Sequence, residues 1–441
     1  MTVAELAYSK ETHAAFPANR ELYYGGEWHP SSSGERQRIT SPANQEDLGT
    51  VACGNPVREL LKDIDIAAAT LDYYAGLATE IKGDTIPMGD GVLNYTVREP
   101  LGVVVRISAF NHPLLFAAMK IAAPLIAGNA VIVKSPDRAP LSTLRLAELL
   151  GPLFPAGVLS VLSGGRSCGE ALVRHPLVAK VGLIGSVPTG RAILKDAADG
   201  IKKVTLELGG KNALIAYPDS DPSKVADGIV RGMNFAWCGQ SCGSTSRAFV
   251  HSRIYDSVID NVKRAVERIR PGLPTDDETE MGSLISKQHF EKVLAYIQTA
   301  KIEGARLVTG GKAPDDPVLA RGFYLQPTVF ADVTTDMTIA REEIFGPVLS
   351  IFRWEDERTM IDAVNGVELG LTAAIWTSDL ATAHRVAGEV EAGFVWINNT
   401  SAHFLGAPFG GAKQSGLGRE ESIEELLDCT EIKNINVTFN P

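Results

Sequence analysis

The chain is short of cysteine, of basic clusters and of long hydrophobic runs, and each shortage excludes something. Five cysteines in 441 residues are too few and too scattered for a disulfide framework. Cys238 and Cys242 stand four apart with no second Cys/His pair nearby to complete a zinc site, so no metal is expected. Free thiols fit a reducing compartment, which makes a cytoplasmic location the expectation. Lys and Arg total 42 against 53 Asp and Glu, a net charge of -11. With the basic residues scattered among acids, nucleic acid and anionic membrane are not expected partners. The most apolar stretch, Leu114–Val133, is broken by Lys120, Pro124 and Asn129, and so reads as a buried helix and strand rather than a membrane span. The first sixteen residues lack a basic region followed by an apolar run, and no secretory leader is expected.

What is present is an ordinary globular composition, 45% hydrophobic with 42 glycines, in a length suited to two or three domains. The first forty residues are polar apart from Leu22–Tyr24 and read as a surface tail. From Gly102 a regular alternation begins. Strands are predicted at Gly102–Ile107, Ala130–Lys134, Gly157–Leu162 and Val181–Ile184, and helices at Leu114–Ala127, Leu141–Leu150, Ser167–Arg174 and Thr189–Ala198. Apolar strands alternating with helices indicate right-handed βαβ units and a parallel sheet buried on both faces. A second block follows: strands at Asn212–Tyr217, Ala248–His251, Val348–Phe352, Leu371–Trp376 and Phe394–Asn398, with helices Pro222–Ala236 and Tyr255–Arg268. Leu208–Lys211 (LGGK) reads as the hinge between the blocks. Glu431–Phe439 alternates polar and apolar residues, as a half-covered strand does, and could extend a partner's sheet.

Several residues have chemical potential. Cys242 lies in GQSCGSTSR, where small neighbours leave a thiol reachable, as a nucleophile requires; the alternative is a small core thiol. Glu207 ends an apolar strand before two glycines. A carboxylate there faces the crevice where α/β sheets bind ligands and could act as a general base; the alternative is a surface carboxylate. Asn111, in AFNHP, follows another strand and could donate to an oxyanion, or could simply stabilise a turn. Gly185, Ser186 and Gly190 (GSVPTG) stand between a strand and a helix, where backbone and helix N-terminus favour a pyrophosphate. A turn of this kind needs glycine anyway, and the run is not G-x-G-x-x-G. Lys134 and Asp137 (VKSPD) could hold ribose hydroxyls or form a plain solvated pair.

Taken in order, AFNHP, VIVKSPD, LIGSVPTG, VTLELGGKN, GQSCGSTSR, EEIFGPV and PFGGAKQSGLGRE closely resemble the aldehyde dehydrogenase superfamily, from roughly Asn55 to the C-terminus. The resemblance implies an α/β fold with three parts. These are a Rossmann-like cofactor domain (1–82 and 101–209), an α/β catalytic domain (210–414) and a small β oligomerisation element (83–100 and 428–441). It implies oxidation of an aldehyde to a carboxylic acid with NAD, NADP being the alternative. Cys242 would be the nucleophile, Asn111 and the Cys242 N–H would hold the oxyanion, and Glu207 would activate the water that hydrolyses the thioester. Lys134, Asp137, Gly185, Ser186, Gly190 and Leu208 would bind cofactor, with Glu343 on the nicotinamide ribose and Phe345 and Phe110 beside that end. A homodimer or homotetramer is implied.

His112, Leu115, Phe116, Met119 and Phe409 are expected to line the substrate tunnel, with Gly243 leaving room beside the thiol. Such a lining suits a medium-sized aliphatic or aromatic aldehyde. Glu207 argues against acyl transfer to coenzyme A, since users of that acceptor generally lack this acid. Asp137 stands where NAD-preferring members usually carry Glu, and Phe110 where Trp is common. Finally, Leu48–Ala52 runs through Cys53–Gly54 straight into Asn55–Glu59, without the two helices usual between them. About 45 residues fewer than the family's pattern should leave apolar surface exposed, and a non-catalytic paralogue is the rival reading.

Overall fold

A computed structural model describes residues 16–32, 34, 36, 40–45 and 54–439. The junction at Leu48–Cys53 lies outside the described residues. Among the described residues, two large sheets and two small ones carry the architecture. In the first, five parallel strands run in the order Lys203–Glu207, Val178–Ile184, Val103–Ile107, Ala130–Lys134, Leu159–Leu162. Numbered along the chain, that order is 5-4-1-2-3, the doubly wound arrangement. The order reverses between Val103–Ile107 and Val178–Ile184, and ligands bind outside the carboxyl ends at such a switch point. Ser108–Asn111, Gly185–Ser186 and Leu208–Gly210 all leave the sheet at that edge.

The second sheet has seven strands, of which Thr328–Ala331, Val348–Trp354, Arg247–His251, Ala213–Ala216, Thr372–Trp376 and Phe394–Ile397 are mutually parallel. Arg306–Thr309 closes one edge antiparallel. Leu214, Ile215, Val250 and Ile375 at its centre are fully buried, as continuous apolar strands between helical layers must be. A short strand, Gly416–Leu417, crosses to the first sheet and pairs antiparallel with Leu206 and Glu207, tying the C-terminal part to the general-base candidate.

The alternation places the elements well, and the departures have local causes. The helix from Pro222 ends at Gly232 rather than Ala236, because Asn234 and Cys238 adopt left-handed backbone (φ 55° and 54°), which no helix interior accommodates. The expected surface tail is in part a hairpin: Leu22–Tyr24 pairs with Glu27–His29 and, through Tyr23, with Val161. Tyr23 is buried beneath Trp28, so three apolar residues suffice to recruit a polar segment to a sheet edge. The C-terminal strand, Thr430–Thr438, pairs along its whole length with Val92–Pro100 of the same chain and leaves its other edge free among the described residues.

One long helix, Val57–Gly76, escapes the sequence pattern because its amphipathicity is inverted. Its buried positions include Glu59, Asp63, Thr70 and Tyr74, while Val57, Leu61, Ile64 and Ile66 are exposed. Apolar surface is therefore open on this helix among the described residues. Ala67 packs on Leu115, Ala118 and Met119 of the helix Pro113–Ile126.

Candidate active site

Cys242 is half-buried on a loop pinned from behind. Asn212 donates through Nδ2 to the Cys242 carbonyl at 2.6 Å and to the Ser244 carbonyl at 3.0 Å, and its Oδ1 accepts from the Thr372 N–H at 3.0 Å. A Cβ on Gly210 would stand 2.4 Å from the Cys242 carbonyl oxygen, so the LGG turn needs glycine for the nucleophile loop to close over it. Beside the thiol there is room, since a Cβ on Gly243 would meet nothing nearer than Ser241 Oγ at 3.8 Å. Burial, with the charges of Glu207 and Glu343, pushes the thiol up to about 12, while the N–H groups of Cys242 and Gly243 draw it partly back. Attack requires the thiolate, so the thiol proton must leave first.

Glu207 is the candidate general base for activating water. Its strand ends beside Ile184 and Gly416, and the side chain is 5% exposed with no hydrogen bond to either carboxylate oxygen. Burial first, then the nearby charge of Glu420, holds its carboxyl well above the usual range, against the opposing pull of Lys120. Behind it lies a buried charge network that motif reading missed. Lys120 Nζ reaches Glu420 at 2.8 Å, and Arg106 bridges Glu420 (3.1 Å) and Glu425 (2.9 Å). The Tyr74 hydroxyl donates to Glu425 at 2.7 Å. Lys120 interrupting an apolar helix was the signal available, since a lysine there demands a partner.

Asn111 is 3% exposed; its carbonyl accepts from Asn55 Nδ2 at 2.9 Å, and its own amide makes no hydrogen bond among the described residues. The next residue, His112, meets the edge of Trp237 with ring centroids 4.5 Å apart. Trp237 belongs to the turn that feeds Cys242, its carbonyl accepting from the Gln240 N–H. The Asn111 and Cys242 loops are thus in contact. Of the expected tunnel residues, Phe116 packs edge-on to His112, and Phe409 lies tilted against Phe394 and His403. Leu115 and Met119 are buried and pack with Ala67 and Ala118.

The cofactor candidates gather at the switch-point edge. Lys134 and Asp137 form an ion pair. Ser186 precedes the helix Val187–Ala198, whose first turn has no side-chain cap, and its hydroxyl meets that of Thr189. Free N–H groups there suit a pyrophosphate. Gly190 has a packing reason for being glycine, since a Cβ would lie 2.9 Å from Leu208, which is itself buried. A Cβ on Gly185 would crowd Leu183 at 3.1 Å. Glu343 accepts from the Gly210 N–H at 3.0 Å and fills the space over Gly209. Phe345, held at φ 58°, sets its ring 5.8 Å from Phe110 and its carbonyl on His289. Such a backbone costs on the order of 1–3 kcal/mol and tends to mark functional sites. An uncapped helix end, a ribose-sized acid and an aromatic corner together fit a dinucleotide.

Comparison with known proteins agrees with this geometry. A sequence profile of the aldehyde dehydrogenase family matches residues 10–435. The aldehyde dehydrogenase tropH of Talaromyces stipitatus is 54% identical over 394 residues, 88% of this chain and 76% of that protein. A betaine aldehyde dehydrogenase of Sinorhizobium fredii is 44% identical over 423 residues, 93% of this chain and 86% of the other. Among solved structures, an NAD+ complex of an aldehyde dehydrogenase from Bacillus cereus superposes with a TM-score of 0.93 at 33% identity, covering 98% of this chain and 99% of that one.

Proposed function

The chain belongs to the aldehyde dehydrogenase family, and from that premise we propose how its residues divide the work. The enzyme is an NAD-dependent aldehyde dehydrogenase; the residue roles below are our reading. Cys242 attacks the aldehyde carbon as its thiolate, the thiol proton passing to solvent water. The amide of Asn111 and the Cys242 N–H hold the oxyanion, each donor worth about 3 kcal/mol in comparable sites. Bound NAD, held by Lys134, Asp137, Ser186, Glu343 and the Phe110/Phe345 corner, supplies the hydride acceptor. What remains on Cys242 is a thioester. Glu207 then takes a proton from water as it attacks the thioester carbon; the tetrahedral adduct expels the Cys242 sulfur, Glu207 returns the proton to it, and the carboxylic acid leaves with the thiol restored.

The observation that carries this reading is the buried Glu207 carboxyl, which has no hydrogen bond among the described residues and lies within electrostatic reach of Cys242. The substrate class it supports is a medium-sized aliphatic or aromatic aldehyde, given the Phe394, His403 and Phe409 rings. Oligomerisation through the free edge of Thr430–Thr438 is the corresponding proposal for assembly. No described helix is long and apolar enough to cross a membrane, and four free cysteines support a reducing, cytoplasmic setting. The test is NADH formation from NAD and a panel of aliphatic, aromatic and acidic aldehydes. Turnover is expected with wild type and none with Cys242→Ala, which should still bind NAD. Equal rates in the two would overturn the assignment.

A further inference from the structure

His112 Nδ1 lies 2.9 Å from Asp63 Oδ2 and 3.2 Å from Oδ1, and both side chains are buried, at 5% and 3% exposure. The imidazole is clamped edge-on to Trp237 at 4.5 Å, with Phe116 at 5.6 Å. It directly follows Asn111, and its Nε2 makes no hydrogen bond among the described residues. Asp63 stands one turn from Ala67 on the face of its helix that packs against Pro113–Ile126. A carboxylate buried there gives up its hydration in exchange for one imidazole partner, and a buried charge pair is weak evidence of stabilisation. The dyad is therefore poorly explained as a stabilising contact. From its place beside the oxyanion amide, we propose that His112, oriented by Asp63, recognises a hydroxyl group on the aldehyde substrate.

The inference rests on the reading of the Cys242 chamber given above and narrows its substrate. A carboxylate on Nδ1 fixes the ring's proton on that nitrogen, so in the neutral ring Nε2 presents a lone pair. A lone pair beside the Phe116 and Trp237 rings calls for a donor, and a hydroxyl is the donor compatible with an apolar carbon skeleton. Charge argues against an acid at this position, since a carboxylate would meet the Nε2 lone pair with the Asp63 carboxylate behind it. Lys120 is committed to Glu420 and Arg106 to Glu420 and Glu425, while Arg419, also near Glu207, is held by the backbone carbonyls of Gly411 and Gly418. Apolar walls alone discriminate poorly between an aldehyde and its hydroxylated analogue, whereas a buried group that must bond a hydroxyl discriminates strongly. Asp63 is on this account a positioning residue, since it touches only the imidazole.

The experiment compares kcat/KM of wild type for 3- and 4-hydroxybenzaldehyde, benzaldehyde and 4-formylbenzoate, with NAD, and repeats it for His112→Phe and Asp63→Asn. The hydroxyl also changes the carbonyl's intrinsic reactivity, so the quantity read is the change in the ratio of hydroxylated to plain substrate. For at least one hydroxylated isomer, that ratio is expected to fall by about ten-fold or more in His112→Phe. It should fall part of the way in Asp63→Asn, with 4-formylbenzoate the poorest substrate throughout. A ratio unchanged within about three-fold, or preference for 4-formylbenzoate, overturns the proposal. A variant that fails to fold is replaced by binding to wild type, where calorimetry should find hydroxybenzyl alcohols about ten-fold tighter than benzyl alcohol. Equal affinities there would overturn the proposal as well. Absence of turnover with every aldehyde would instead defeat the catalytic reading, and the alcohol comparison would still judge the dyad.

Discussion

A carboxylate buried without a hydrogen bond, as Glu207 is, resists ionisation, and two consequences are measurable. The first concerns rate. Since the carboxyl is held well above its ordinary range by burial and Glu420, hydrolysis should rise with pH through that raised value, and Glu207→Gln should abolish the dependence. The second concerns stability. A group whose pKa is raised on folding contributes stability that is present at low pH and lost as pH rises through the folded value. Glu207→Gln should thus melt higher than wild type at pH 8 and nearly with it at pH 4; a lower melting temperature at pH 8 would mean that the ionised form has a partner in solution. Asn111→Ala should lower kcat by about 10²–10³-fold with its fold intact. Retention of full kcat would assign Asn111 to turn chemistry instead. These residues were legible from sequence because each sits where a strand meets a loop, and their motifs are short and contiguous. Lys120, Glu420 and Asp63 were not, because their partners lie far away in sequence and only the fold joins them.

At the scale of elements, the parallel strands were readable because strands covered on both faces are apolar throughout, with turns between them. The helix Val57–Gly76 was not, since its buried face carries Glu59, Asp63 and Thr70 while its apolar residues face outward. Two demands compete on it: packing against Pro113–Ile126 and delivering Asp63 to His112. Its outer residues Val57, Leu61 and Ile64 follow helical spacing, so polar replacements there should relieve exposed apolar surface without opening a cavity. Leu61→Glu with Ile64→Lys is expected to change stability by less than about 1 kcal/mol and to reduce aggregation in light scattering. A loss above about 3 kcal/mol by denaturant unfolding would mean that this face is covered in solution. The hairpin Leu22–His29 was missed for a simpler reason: three-residue strands carry too little periodicity to read.

Across the whole molecule, the loop edges of two parallel sheets meet. The first sheet brings Asn111, the Gly185–Gly190 turn and Glu207; the segment leading into the second brings Cys242. The strand Gly416–Leu417 then returns from the C-terminal part to pair with Leu206 and Glu207. On the reading proposed above, the reaction is divided between these parts, which is why its motifs are scattered from Asn111 to Glu420. The account's central claim is a thioester on Cys242 whose hydrolysis depends on Glu207. Its most direct test is mass spectrometry of Glu207→Gln quenched after mixing with NAD and an oxidisable aldehyde. An acyl adduct confined to the peptide bearing Cys242, accumulating in step with a burst of NADH, is the expected result. A burst with no adduct on Cys242, or an adduct that hydrolyses at the wild-type rate, would contradict it.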